Sequence, residues 1–195
     1  MCTTFWTISG KEIDIDNFKP EDVSLNDISH SLSYMCRFNG HAKHFYSVAE
    51  HSILVSRILP IELRNEGLFH DASECFFGDI ISPVKKLFTE IKSYEDNIMS
   101  VISKVFNLQF PENPMVKWAD LTVLRYELEI FYPKMFERFY DDPTAWVHKY
   151  TNLDIGEMIY HHVECALNPE DAKEMFLKEF DKNCLQLEKM EYNKI

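Results

Sequence analysis

Apolar residues recur every three or four positions along most of this chain, the spacing of helices with one buried face. A Ser24/Asn26/Asp27 cluster supplies an N-cap ahead of Ile28, Leu32, Met35 and Cys36. That predicts a first helix ending near Arg37-Phe38-Asn39-Gly40, where Asn-Gly marks a turn. Ser47-Val48-Ala49-Glu50 has the form of a capping box. The helix it opens carries Val48, Val55, Ile58 and Leu59 on one stripe before Pro60 stops it. The next helix is predicted over Ile61 to Phe77, until Gly78-Asp79-Ile80-Ile81-Ser82-Pro83 breaks the pattern and Pro83 opens another. Amphipathic stretches follow over Tyr94 to Leu108, from about Val116 to Tyr132, over Asp154 to Leu167 and over Pro169 to Lys189. Near the start, Phe5-Trp6-Thr7-Ile8, the Ser9-Gly10 turn and the alternating Glu12 to Asp16 form a small hairpin signal. The expectation is an all-α fold with a small N-terminal hairpin.

Composition narrows this. The 195 residues are 46% hydrophobic and 14% aromatic, enough for one domain with a substantial core, and the five glycines suit a helical chain. Lys and Arg number 20 against 32 acidic residues, a net charge of −12. Such a surface is repelled by nucleic acid and by anionic membranes, so no polymer and no membrane partner is expected. A small anionic substrate is compatible with a local basic pocket. Five widely spaced cysteines without a C-x-x-C pair suit a reducing cytoplasm better than a disulfide framework or a cysteine zinc site. No apolar run approaches the ~20 residues of a membrane span, and Met1 to Gly10 lacks the form of a signal peptide.

Polar residues set into apolar runs carry the candidate chemistry. In Leu68-Phe69-His70-Asp71-Ala72-Ser73-Glu74, a helix would place His70, Asp71 and Glu74 around one cleft. Alone, a His-Asp pair reads as a capped core histidine beside a surface aspartate. His51 falls on the inward stripe of its own helix, and Asp120 lies in an otherwise apolar turn, so each is a further candidate ligand. Imidazole and carboxylate together suit Zn, Mn, Fe or Co. The loop from Arg37 to Tyr46 joins Arg37, His41, Lys43 and His44 with Phe38, Phe45 and Tyr46. It reads either as a seat for an anion with a flat ring or as a solvated connector. The helix start at Pro83 with Lys85 and Lys86 reads equally as a phosphate site or an ordinary capped helix.

The order His51, His70-Asp71, Asp120 resembles the HD-domain metal-dependent phosphohydrolases. Three blocks carry the likeness: Phe45-Tyr46-Ser47-Val48-Ala49-Glu50-His51-Ser52, Leu68-Phe69-His70-Asp71-Ala72-Ser73-Glu74, and Gly78-Asp79-Ile80-Ile81-Ser82-Pro83-Val84-Lys85. They are similar to the branch of bacterial deoxynucleoside monophosphatases and phage or prophage phosphohydrolases, including dATP triphosphohydrolases. The likeness spans about Ser9 to Glu129. It implies a single HD-domain helical bundle with a core at about 24–140 and C-terminal helices over 141–195 serving as scaffold or subunit interface. It implies one divalent metal ion, Zn, Co or Mn, held by His51, His70, Asp71 and Asp120. Glu74 is then the acid/base or water-orienting carboxylate, with Asp79 in support. Arg37 holds a phosphate, and Lys85 reaches another from the helix start at Pro83. Phe38, where many relatives carry tryptophan, packs on a deoxyribose. The substrate is a deoxynucleotide, as monophosphate or triphosphate, and the protein a homo-oligomer. A catalytically silent nucleotide-binding module, a structural interaction protein and a cyclic-nucleotide phosphodiesterase are the alternatives.

Overall fold

A computed structural model describes residues 4–134 and 153–192. Strands β1 (Thr4–Trp6) and β2 (Glu12–Asp14) pair antiparallel with Phe5 opposite Ile13, so both side chains point inward. Ile13 is fully buried, and the Phe5 ring lies 6.3 Å from Phe76. The hairpin turn is tied to the first helix by Asp27, which accepts from Ser9 N–H at 3.0 Å and from Ser9 Oγ at 2.6 Å. Everything else of regular structure among the described residues is helical.

Helix α1 (Leu25–Tyr34) starts on Ser24, whose hydroxyl accepts from Asp27 N–H. The loop after it is pinched shut by Arg37 N–H to Tyr46 O at 2.9 Å and Val48 N–H to Met35 O at 3.0 Å. That closure carries Arg37 back against the start of α2 (Val48–Arg57). The capping box forms as the sequence predicts: Glu50 N–H donates to Ser47 Oγ at 3.1 Å, and Ser47 N–H to Glu50 Oε2 at 2.8 Å. The predicted single inward stripe understates α2, because every residue from Val48 to Ser56 is buried. One side of α2 gives Val48, Ala49 and Ile53 to a core shared with α1, the hairpin and later helices. The other gives Leu54 and Val55 to a second core. Each such aliphatic side chain contributes about 1.5–3 kcal/mol by burial, so α2 is the element the molecule is built on.

The continuous helix expected over Ile61 to Phe77 is not formed. The chain makes α3 (Arg64–Phe69), a turn, and then α4 (Glu74–Phe77). The cause is local: His70 Nδ1 lies 2.8 Å from Gly67 O, the carbonyl a regular helix would give to Asp71 N–H. Backbone bonds tighten to the three-residue spacing, with Ala72 to Phe69 at 2.9 Å and Glu74 to Asp71 at 3.0 Å. Gly67 also lets α3 approach α2, since a Cβ there would stand 2.5 Å from Leu59 Cδ1 and 3.2 Å from the Ser56 backbone.

Helix α5 (Ser82–Lys85) has only four residues, so the expected helix start at Pro83 is a single turn. Two eighteen-residue helices follow, α6 (Thr89–Phe106) and α7 (Pro114–Phe131), the second capped by Asn113. Then come α8 (Leu153–Cys165) and α9 (Pro169–Tyr192). Phe176 of α9 is fully buried and meets Phe69 at 5.7 Å, while Phe69 stacks on Phe106 at 4.4 Å. The sequence-expected boundary near residue 140 lies outside the described residues. The described cysteines, Cys36, Cys75, Cys165 and Cys184, are free, and Cys2 lies outside the described residues. Among the described residues no helix is long and apolar enough to cross a membrane.

One buried base in α8 bears on stability. His162 Nε2 is buried without a hydrogen-bond partner among the described residues. Burial, with Arg57 nearby, pushes its pKa from 6.5 down to about 4. The unfolded chain therefore takes up this proton first on acidification. The stability tied to neutral His162 is full above pH 6.5 and is lost as pH falls towards 4. The midpoint of thermal unfolding should fall more over this window in the wild type than in His162→Gln; parallel curves would contradict the assignment.

Candidate metal centre

The site is assembled from the buried carboxylate of Glu127 outward. Glu127 lies seven residues after Asp120 on α7, about two turns, so both face α2. It is fully buried and receives three donors: His51 Nδ1 at 2.7 Å, Tyr46 Oη at 2.8 Å and Arg37 Nη2 at 3.0 Å. Burial alone would raise its pKa, but Arg37, His51 and Tyr46 outweigh it and hold the carboxyl at about 2. An ionised acceptor at Nδ1 fixes the proton of neutral His51 there and leaves a lone pair on Nε2. The Gly67 carbonyl does the same for His70, since a carbonyl can only accept.

Both Nε2 atoms are buried and make no hydrogen bond among the described residues. Their surroundings are carboxylates. His51 Nε2 is 3.2 Å from Asp120 Oδ1 and 4.0 Å from Asp71 Oδ2; His70 Nε2 is 3.1 Å from Asp71 Oδ2 and 4.0 Å from Asp120 Oδ1. His51, His70 and Asp120 each present a ligand atom within 4.8 Å of the others. These spacings fit donors sharing one ion at about 2 Å each. Left neutral and without an ion, the two converging lone pairs would be an unmade interaction costing about 1–3 kcal/mol apiece; a cation or a proton supplies what they lack. His51, His70 and Asp120 can therefore hold a metal ion.

Protons report the same attraction for positive charge. Burial works against a charged His70, yet Asp71 and Asp120 push its pKa up to about 9. Burial likewise works against charged Asp71 and Asp120, but the histidines beside them hold both well below the usual carboxylate range.

The turn after His70 aims Glu74 into the same region. Glu74 is 5% exposed; its Oε1 accepts from Lys85 Nζ at 3.1 Å, and its Oε2 is buried without a partner among the described residues. Burial, with Asp71 and Asp79, pushes its pKa well above the ordinary value, and Lys85 and Arg37 oppose this only in part. Burial and Asp71 also raise Asp79. Gly78, at φ 86, makes the left-handed turn that leads into Asp79. A cleft of ≈ 870 Å³ opens here, lined among others by His70, Asp71, Glu74, Ser82, Lys85 and Lys117.

The structure thus brings His51, His70, Asp71, Asp120, Glu74, Asp79 and Lys85 into one region. The remaining sequence candidates sit differently. Arg37 is only 7% exposed, bonded to Glu127 on one side and 3.8 Å from Asp71 with Nη1 on the other. Phe38 and Asn39 both take left-handed backbone, φ 56 and 51, uncommon for a phenylalanine. The Phe38 ring is held edge-on by Phe131 and Tyr132, with the Arg37 guanidinium 5.2 Å above it. Pro83 is exposed on the single turn of α5. Lys85 is shared between Glu74 and, at 2.9 Å, Glu95 of α6.

Sequence reasoning missed Glu127, Glu95 and Lys117, the last 2.6 Å from Asp120 Oδ2, and had Tyr46 as an aromatic of the loop after α1, without its bond to Glu127. Glu127 had a signal, an acid two turns from Asp120 between the apolar residues Tyr126 and Leu128.

No protein-family model matches the chain. It is 43% identical over 121 residues to the uncharacterized protein YfdR of Escherichia coli (strain K12), a match covering 62% of this chain and 68% of YfdR. It is 32% identical over 139 residues to the uncharacterized protein RCAP_rcc00048 of Rhodobacter capsulatus, covering 63% of this chain and 69% of that one. With two thirds or more of each relative matched, the chain belongs to the family of YfdR and RCAP_rcc00048.

Proposed function

We propose that this protein is a divalent-metal-dependent phosphohydrolase of the HD-domain class that removes phosphate from deoxynucleotides. The observation that carries the reading is the pair of buried Nε2 atoms, without a hydrogen bond among the described residues, converging on Asp120 at 3.2 Å and Asp71 at 3.1 Å, with His70 and Asp71 on the wall of an open cleft. In this reading Asp71 completes the ligand set of His51, His70 and Asp120, and the ion is Zn, Co or Mn. Once bound, such an ion supplies a water of lowered pKa and neutralises charge on a phosphoryl oxygen. The chain's own residues do the rest. Glu74, with a proton affinity raised by burial, orients the attacking water and takes or returns its proton. Lys85 neutralises an incoming phosphate at the cleft wall, exchanging its contacts to Glu74 and Glu95. Arg37 adds charge from behind Asp71, and Asp79 keeps the field around Glu74 negative. Phe38 is assigned to the sugar, and Pro83 to the helix start from which Lys85 reaches a phosphate. The same reading makes the protein a cytoplasmic homo-oligomer.

The test is product analysis by chromatography. The protein, loaded with Co, Mn or Zn, meets each dNMP, each dNTP and the matching ribonucleotides. Free phosphate from dNMPs, or triphosphate or stepwise phosphate from dNTPs, is the expected result and decides between the two substrate forms. No turnover with any metal would overturn the proposal in favour of a silent nucleotide binder.

A further inference from the structure

Glu127 touches no solvent and faces away from the cleft, yet it gathers donors from three segments: His51 of α2, Tyr46 just before α2, and Arg37 of the loop after α1. For packing alone, an apolar side chain of similar size serves a buried position as well or better than a charge. The two candidate histidine ligands are also held unequally. His70 gives its Nδ1 proton to a neutral carbonyl at 2.8 Å, whereas His51 gives it to a carboxylate at 2.7 Å.

We infer that Glu127 is a positioning residue for the metal. It fixes His51 as the Nδ1–H tautomer, aims Nε2 at Asp120 and makes that nitrogen the stronger donor of the two. Arg37 and Tyr46 serve this carboxylate: they complete its hydrogen bonds at 3.0 and 2.8 Å and hold it in register behind His51. The inference rests on the metal reading of the site and is independent of which nucleotide is the substrate.

The test uses the full chain, stripped of metal with chelator and titrated calorimetrically with Zn and with Co. Tautomers of His51 and His70 are read beforehand from long-range proton–nitrogen NMR spectra taken above the His70 pKa of about 9. In Glu127→Gln the side-chain carbonyl is drawn to Arg37 and its NH₂ is turned on His51, which favours the wrong tautomer. Metal affinity should fall about 10–100-fold, and His51 should lose its Nδ1–H preference while His70 keeps it. Because this variant takes from Arg37 the nearer of its two anions, Arg37→Met/Glu127→Leu is measured beside it. Losing the Arg37 cation from beside Asp71 would by itself tighten a bound metal, so a loss of affinity in the pair belongs to Glu127. A folded variant with unchanged affinity and an unchanged His51 tautomer overturns the inference alone. A wild type that takes up neither metal overturns the metal reading along with it.

Discussion

Asp120→Ala should lose metal affinity by more than the about 100-fold that an outer-sphere partner can cost, and its turnover should drop to background. Asp120 supplies the carboxylate oxygen of the set it forms with His51 and His70. The loss should not come from unfolding. Its ion-pair partner Lys117 is 58% exposed and returns to water, and His51 and His70, which Asp120 also faces, keep Asp71 Oδ2 at 4.0 and 3.1 Å. Calorimetric titration with phosphate-release assays checks this, with circular dichroism to confirm the fold. An Asp120→Ala protein that keeps wild-type metal affinity would remove Asp120 from the centre.

Glu74→Gln should divide chemistry from metal binding. A positioned acid/base is worth about 10²–10⁴-fold in rate, so kcat should fall by that much while metal affinity stays near wild type. The amide is close in size, and Lys85 keeps an anionic partner in Glu95 at 2.9 Å, so no buried charge is stranded. Equal losses in kcat and metal affinity would make Glu74 part of the ligand set. Wild-type kcat would take it out of the reaction.

Most of the helices and the donor residues were legible because they depend on local pattern. The Ser47–Glu50 capping box announces α2, and the spacing that makes α2 a helix also puts His51 inside. Asp120 could be suspected as the acid in an apolar turn of α7. The break between α3 and α4 was not legible, because periodicity does not register that His70's own side chain competes for the Gly67 carbonyl. Nor could the burial of Arg37 be read. It depends on a loop closed by Arg37 and Tyr46 and on an acid ninety positions along the chain. Lys85 reads as a free cation in sequence; only the packing of α5 beside α6 brings Glu95 to it.

The central claim is a single metal centre built from His51, His70, Asp71 and Asp120. It is tested most directly by adding Co(II) to the metal-free protein and following visible ligand-field absorption. The account predicts bands that grow to one equivalent per chain and stop, and that fail to develop in Asp120→Ala. Absorption that never develops in the wild type, or that develops equally in Asp120→Ala, would contradict it.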